Sequence, residues 1–356
     1  MKKVLVLLIT LILLGAICFL TYKHMISAPS NEDLILEFNV EKGSTYNSIA
    51  EDLEKEGFIR SALFYKIYLK LNPVEENLEY GRYYLPTKDS VENVIGVLKK
   101  GSDTLADTVT VTFIEGKNMR SVISVITKNF NITEKQVLDK LSDKDYLDRL
   151  IDKYWFITKD IKKKDIYYSL EGYLYPDTYE YYETASVEDI FGKMLDNMES
   201  KLDPYMESID KSKYSIHEML TLASIIEQEA GSAKDRKGVA GVFYNRLSDG
   251  WALGSGVTTY YQEKIDNYSR DLTQKELNKC GSYNTRNGCL EGKLPVGPIC
   301  NPSLESIVAS IEPKKHNYYY FVADKNGKTY FNKSYSDHTA TVSQLKRDGL
   351  WIEYED

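Results

Sequence analysis

Leu222-Ala223-Ser224-Ile225-Ile226-Glu227-Gln228-Glu229-Ala230 is the stretch on which the reading of this chain turns. With Met219 just upstream, its apolar residues recur at the three- and four-residue spacing of a helix with one buried stripe. Glu229 follows Leu222, Ile225 and Ile226 at seven, four and three residues, which puts its carboxyl on that stripe. Glu227, four after Ala223 and three after Ser224, falls nearer the edge. A carboxylate on an apolar face is costly unless it is paired or protonated. Burial raises its pKa, which is what a general acid working at neutral pH requires. Glu229 is therefore the candidate catalytic acid/base and Glu227 the secondary candidate. A cation such as Arg236 or Arg246 could instead hold a buried Glu structurally.

Outward from this helix, the period predicts further helices over 187–201 and from Asp235 to Leu247. Residues 248–303 are rich in Gly, Pro, Asn, Thr and Tyr and read as one long irregular region, of the kind that often carries function. Tyr318–Ala323 and Thr329–Phe331 read as a hairpin turning at Gly327, followed by a helix over about 337–348. Upstream, the alternating β-branched run Thr108–Phe113 is a strand. Helices follow near 119–128, 133–141 and 143–151. Lys159–Asp165 reads as a solvated loop. Glu171–Tyr179, aromatic with internal Gly and Pro, cannot be a simple helix. Residues 34–101 form a smaller unit: strands at Leu34–Val40 and Tyr80–Leu85, with helical stretches around 49–59, 62–71 and 91–99.

At the N-terminus, Lys2 and Lys3 precede an uncharged run from Val4 to Tyr22. About 20 apolar residues span a bilayer. Basic residues before such a run leave the N-terminus inside. The expectation is a cytoplasmic tail (1–3), a single transmembrane anchor (4–22) and an extracytoplasmic bulk, on the cell membrane. No small-x-small site follows the run, which argues against a cleaved signal peptide. Ile26–Asp33 reads as a polar linker.

Composition excludes more than it selects. The 356 residues carry a net charge of −8 with both signs interspersed, so nucleic acid is not an expected partner. The four His are scattered, no HExxH occurs, and the Cys lack CxxC spacing; no metal and no organic cofactor is expected. Ser208 and Lys211 match SxxK without its partner motifs. Of the Cys, Cys280 and Cys289 are the local candidates for a disulfide outside the membrane.

These residues resemble the YceG-like, or MltG-type, endolytic murein transglycosylases over nearly the whole chain. Leu222–Ala230 looks like the family's catalytic helix, and Val239-Ala240-Gly241-Val242-Phe243-Tyr244-Asn245-Arg246-Leu247 like the helix after it. Glu171-Gly172 with Pro176-Asp177-Thr178-Tyr179 resembles the EG-x-x-x-PDTY segment. Tyr283-Asn284-Thr285, Leu294–Ile299 and Asn301-Pro302 resemble the YNT and LPPGPI-x-NP loops. The C-terminal hairpin, with His338, fits as well. Where the family reads L-Q-[ST]-D-P-T, this chain has Leu253-Gly254-Ser255-Gly256-Val257-Thr258. Arg286 stands where an aromatic residue is common.

The resemblance implies an α+β chain: a membrane helix, a LysM-like module (34–105), and a mixed α/β catalytic domain (108–356) with a helix-borne Glu. It implies cleavage of MurNAc–GlcNAc β-1,4 bonds within peptidoglycan strands, giving 1,6-anhydroMurNAc ends, with Glu229 as the acid/base. It further implies membrane-bound wall synthases as partners. Tyr283, Asn284, Ser255, Thr258 and Asn245 are the candidates for holding sugar. Two other readings stay open: a non-catalytic glycan-binding scaffold, and a hydrolytic muramidase with Asp177 as second carboxylate.

Overall fold

The structure, a computed structural model, describes residues 2–30, 34–74, 77–101, 108–183, 185–286 and 288–351. They form two compact units, Met1–Asp107 and Thr108–Asp356. Elements in chain order are α1 (Lys2–Met25), β1 (Ile35–Val40), α2 (Ala50–Lys55), α3 (Ala62–Leu71), β2 (Gly81–Pro86) and α4 (Val91–Lys99) in the first unit. The second has β3 (Thr108–Thr112), α5 (Met119–Asn129), α6 (Glu134–Ser142), α7 (Lys144–Lys153), β4 (Thr178–Tyr182), α8 (Val187–Leu202), α9 (Met206–Asp210) and α10 (Ile216–Glu229). It continues with α11 (Arg236–Ser248), α12 (Gly256–Gln262), α13 (Gln274–Leu277), α14 (Leu304–Ile311), β5 (Tyr320–Ala323), β6 (Thr329–Asn332) and α15 (Tyr335–Arg347). The strands pair as three antiparallel ribbons, β1–β2, β3–β4 and β5–β6, so the chain is α+β.

In the first unit, Phe38 lies opposite Tyr83 across β1–β2. The two rings are buried with Tyr65, Leu53, Val94 and Leu98. Alternate residues of β2 face this core, as a half-buried strand requires. The stretch read as a linker is docked in part: Ile26 packs against the core and its carbonyl accepts from Val91 N at 3.0 Å. Among the described residues no helix is long and apolar enough to cross a membrane. The side chains of residues 1–9 and 11–13, which include the first part of the expected anchor, lie outside the described set, as do residues 102–105 at the end of the expected module.

In the second unit, β4 is a strand that the aromatic segment did not advertise; it pairs along the whole of β3. The Lys-rich loop at 159–165 is not merely solvated. It contains a 3₁₀ turn, Lys159–Lys162, that drives Ile161 into the core with no exposed surface. The region 248–303 holds α12 and α13, and α14 follows it directly. None of the three was foreseen, because each is short, at seven, four and eight residues.

Ser215 starts α10 with a capping box: its hydroxyl accepts from Glu218 N, and Glu218 reaches back to Ser215 N. From Met219 to Ile226 every residue of α10 is buried. The helix therefore has no solvent face there, a departure from the single stripe read in the sequence. Met219, Leu220 and Ala223 join the core of β3, β4 and α5–α8. Leu222, Ile225 and Ile226 join a second core with α11, α12 and α14. Burying each such aliphatic side chain is worth roughly 1.5–3 kcal/mol. Only the last turn, from Glu227, emerges from this packing.

Candidate active site

Glu229 closes α10, where the helix leaves the core. It is partly exposed at the surface yet enclosed by protein on most sides. Burial holds its carboxyl pKa above the ordinary value, opposed by a hydrogen bond from Ser255 and by the charges of Arg246 and Arg286. The Ser255 hydroxyl donates to Oε1 at 2.6 Å. Ser255 is itself buried; it immediately precedes α12, and its hydroxyl does not cap that helix, so the bond to Glu229 is its use.

Glu227 is different. Its side chain is only 8% exposed, so it is not an edge residue. Arg236 Nη2 bonds Oε1 at 2.8 Å. Ser303 N and Oγ bond Oε2 at 3.0 and 2.5 Å. This is the buried, cation-held Glu that the sequence left open as an alternative for its neighbour. Its job is to tie α10 to α11 and to the start of α14.

The remaining candidates divide. Tyr283, Asn284 and Thr258 have no exposed surface. Tyr283 is packed against Tyr167 and Tyr261, with ring centroids 4.8 Å away in each case. Asn284 donates to the carbonyls of Glu276, Leu277 and Lys279 and accepts from Thr259. Thr258 donates to Ser255 O. Asn245 donates to the carbonyls of His316 and Tyr318, pinning α11 to the approach of β5. Tyr283, Asn284 and Thr258 are thus packed into the wall of this region, and Asn245 is partly exposed. Cys280 and Cys289 are disulfide-bonded and close the loop that carries Tyr283, Asn284 and Arg286.

Arg246 and Arg286 frame the carboxyl. Arg246 donates to the carbonyls of Leu253 and Tyr319, and its guanidinium lies 5.4 Å over the Tyr320 ring. Arg286 is exposed, and a Cβ on Gly256 would lie 3.7 Å from its Nη1. Among the described residues its guanidinium has no carboxylate partner.

Glu171 was not singled out in the sequence, although it opens one of the quoted segments. It is 1% exposed. Both its oxygens accept from Met119 N, at 2.9 and 3.0 Å, and Tyr261 donates to Oε2 at 2.9 Å. Burial raises its pKa to about 7. Next to it, Gly172 has φ +81°, and a Cβ there would stand 2.3 Å from Pro298 Cβ, so only glycine fits. Asn301 Oδ1 accepts from Gly172 N and Leu174 N, fastening this turn to the Asn-Pro turn. Beside the last turn of α10 lies a cavity of about 290 Å³, lined by Gln228, Tyr260, Tyr268 and Asn118 among others.

A YceG-like family model matches residues 38–344. The chain belongs to the YceG-like family. A Bacillus subtilis protein named endolytic murein transglycosylase is 32% identical over 305 residues, which is 85% of this chain and 82% of that one. A Streptococcus pneumoniae protein of the same name is 30% identical over 355 residues; this chain spans 64% of its length. The 2.6 Å crystal structure of a YceG-like protein from Listeria monocytogenes superposes with a TM-score of 0.60 at 31% identity, covering 87% of this chain and all of that one. The matched YceG-like span contains α10, the Ser255 turn, the disulfide loop and the C-terminal hairpin.

Proposed function

We propose that this chain is an endolytic peptidoglycan lytic transglycosylase with Glu229 as its one acid/base. The observation that carries the assignment is a carboxyl at a helix end, its pKa raised by burial and its Oε1 held by the Ser255 hydroxyl. As acid, Glu229 gives its proton to the bridging oxygen as the bond to C1 of MurNAc breaks. As base, the carboxylate then takes the proton from the C6 hydroxyl of the same MurNAc. That oxygen bonds C1 and closes a 1,6-anhydro ring. The proton lost in the first step is regained in the second, and no water is consumed. One carboxyl suffices because the substrate supplies the nucleophile, unlike glycosidases that use two. Acid–base help of this kind is worth roughly 10²–10⁴-fold.

The rest of the chain is read to match. Residues 4–22 anchor the protein in the cell membrane, N-terminus inside, on the strength of Lys2, Lys3 and the uncharged run. The unit at 34–105 is a LysM-like module that holds glycan, and membrane-bound wall synthases supply the nascent strands. The test is mass spectrometry of glycan strands digested with the full-length chain and with Glu229→Gln. Internal fragments ending in 1,6-anhydroMurNAc, absent from the variant digest, are expected. Reducing ends would make the protein a hydrolase. Intact strands bound by the folded wild type would make it a scaffold.

A further inference from the structure

An enzyme that cuts inside a strand must hold sugars well beyond the two that flank the broken bond. One surface adjoining the site has the chemistry for this. Trp251, just after α11, is 43% exposed, and Tyr335, at the start of α15, is 68% exposed. Between them lies Tyr320 of β5. Its ring centroid is 6.3 Å from that of Trp251 and 5.9 Å from that of Tyr335. His338 stacks on Tyr320 at 5.6 Å, an interplanar angle of 28°. Three elements thus bring four rings into one patch.

The patch is held firmly. The Arg246 guanidinium lies over the Tyr320 ring, and Trp251 N bonds the Arg246 carbonyl at 2.8 Å. Tyr319, whose ring is 5.0 Å from Trp251, is fixed by its hydroxyl to Asp249 at 2.6 Å. The patch also encloses one polar atom, His338 Nδ1, that is buried without a hydrogen-bond partner among the described residues. And it is continuous with the site: Arg246 also donates to the carbonyl of Leu253, two residues before the Ser255 that holds Glu229.

We propose that Trp251, Tyr320, Tyr335 and His338 form a remote saccharide subsite, on which a pyranose ring of the strand stacks while Glu229 cuts elsewhere on it. The apolar faces of the rings suit the C–H face of a pyranose, and their polar edges suit its hydroxyls. This rests on the glycan-cleaving reading above, and it explains action within long strands: a long strand reaches the patch and a short one does not.

The experiment compares Trp251→Ala, Tyr335→Ala and Trp251→Phe with the unaltered full-length chain on stem-free glycan strands of graded length. On long strands both Ala variants should raise KM about tenfold with little change in kcat, a loss typical of one well-made contact. The effect should shrink to nothing on a tetrasaccharide, and Trp251→Phe should restore most of the affinity. The same substitutions in a Glu229→Gln background are read by strand binding. A loss independent of strand length, or no loss on long strands, overturns the subsite. If the unaltered chain forms no anhydro ends, the cleavage reading fails by itself, and the binding series still decides whether the patch holds glycan.

Discussion

Ser255 Oγ donates a 2.6 Å hydrogen bond to Oε1 of Glu229, across 26 residues of chain. Burial favours the neutral acid and this bond favours the carboxylate; burial wins, and the pKa stands above its ordinary value. Ser255→Ala removes a force that lowers the pKa, so the proton is kept to higher pH. The alkaline fall in cleavage rate should move upward. Arg286→Ala should shift it the same way, since that charge also lowers the pKa. Initial rates against pH check both, and unmoved profiles would exclude this carboxyl as the acid.

Glu227 and Glu229 should separate cleanly on mutation. Glu227→Ala takes from Arg236, 13% exposed, its close carboxylate partner and leaves it the Ser303 hydroxyl and the exposed Glu305 at 3.8 Å. Breaking such a buried pair costs about 3–5 kcal/mol. The urea midpoint should drop while folded molecules still cleave. Glu229→Gln should keep the midpoint and lose roughly 10²-fold or more in rate. The reverse pattern would exchange the roles of the two residues.

Glu171 makes a pH-dependent contribution to stability. Its folded pKa is about 7, against 4.5 for the free group. Below 4.5 both states carry the proton, and stability is full. As pH rises through that window the unfolded chain ionises and the folded one does not, so stability falls until about pH 7, by roughly 3 kcal/mol at most. Glu171→Gln removes this slope. Urea titrations of both proteins at acid and neutral pH measure it, and parallel curves would refute the assignment.

Reducing Cys280–Cys289 should loosen the loop that presents Arg286 beside the site. By chain entropy a loop of this size is worth roughly 3 kcal/mol. The Cys280→Ser, Cys289→Ser double variant should unfold at lower urea and bind strands less tightly. Unchanged binding would mean that the tyrosine and asparagine packing alone positions the loop.

How much of this was legible beforehand depended on the range of the forces involved. The apolar spacing of 219–226 and the alternation of 108–113 are local signals, and α10 and β3 lie where those signals put them. The hairpin turning at Gly327 and the final helix were equally local. By contrast β4, α12 and α14 are short, at five, seven and eight residues. They are settled by partners far away in sequence: β3 for β4, and α10 with α11 for α14.

The site divides in the same way. Residue types and spacing drew attention to Glu229, and the family resemblance to Ser255 and the Tyr283–Asn284 loop. Only the folded chain decided that Glu227 is bound by Arg236 and Ser303 while Glu229 meets Ser255 and keeps a path to solvent. Only it showed that Tyr283, Asn284 and Thr258 have no exposed surface, and that Glu171 is sealed against Met119 and Tyr261. Helical phase says which way a side chain leaves its own helix. Which partner waits there, and whether water can follow, is set by segments tens to more than a hundred residues away, and no local pattern encodes that.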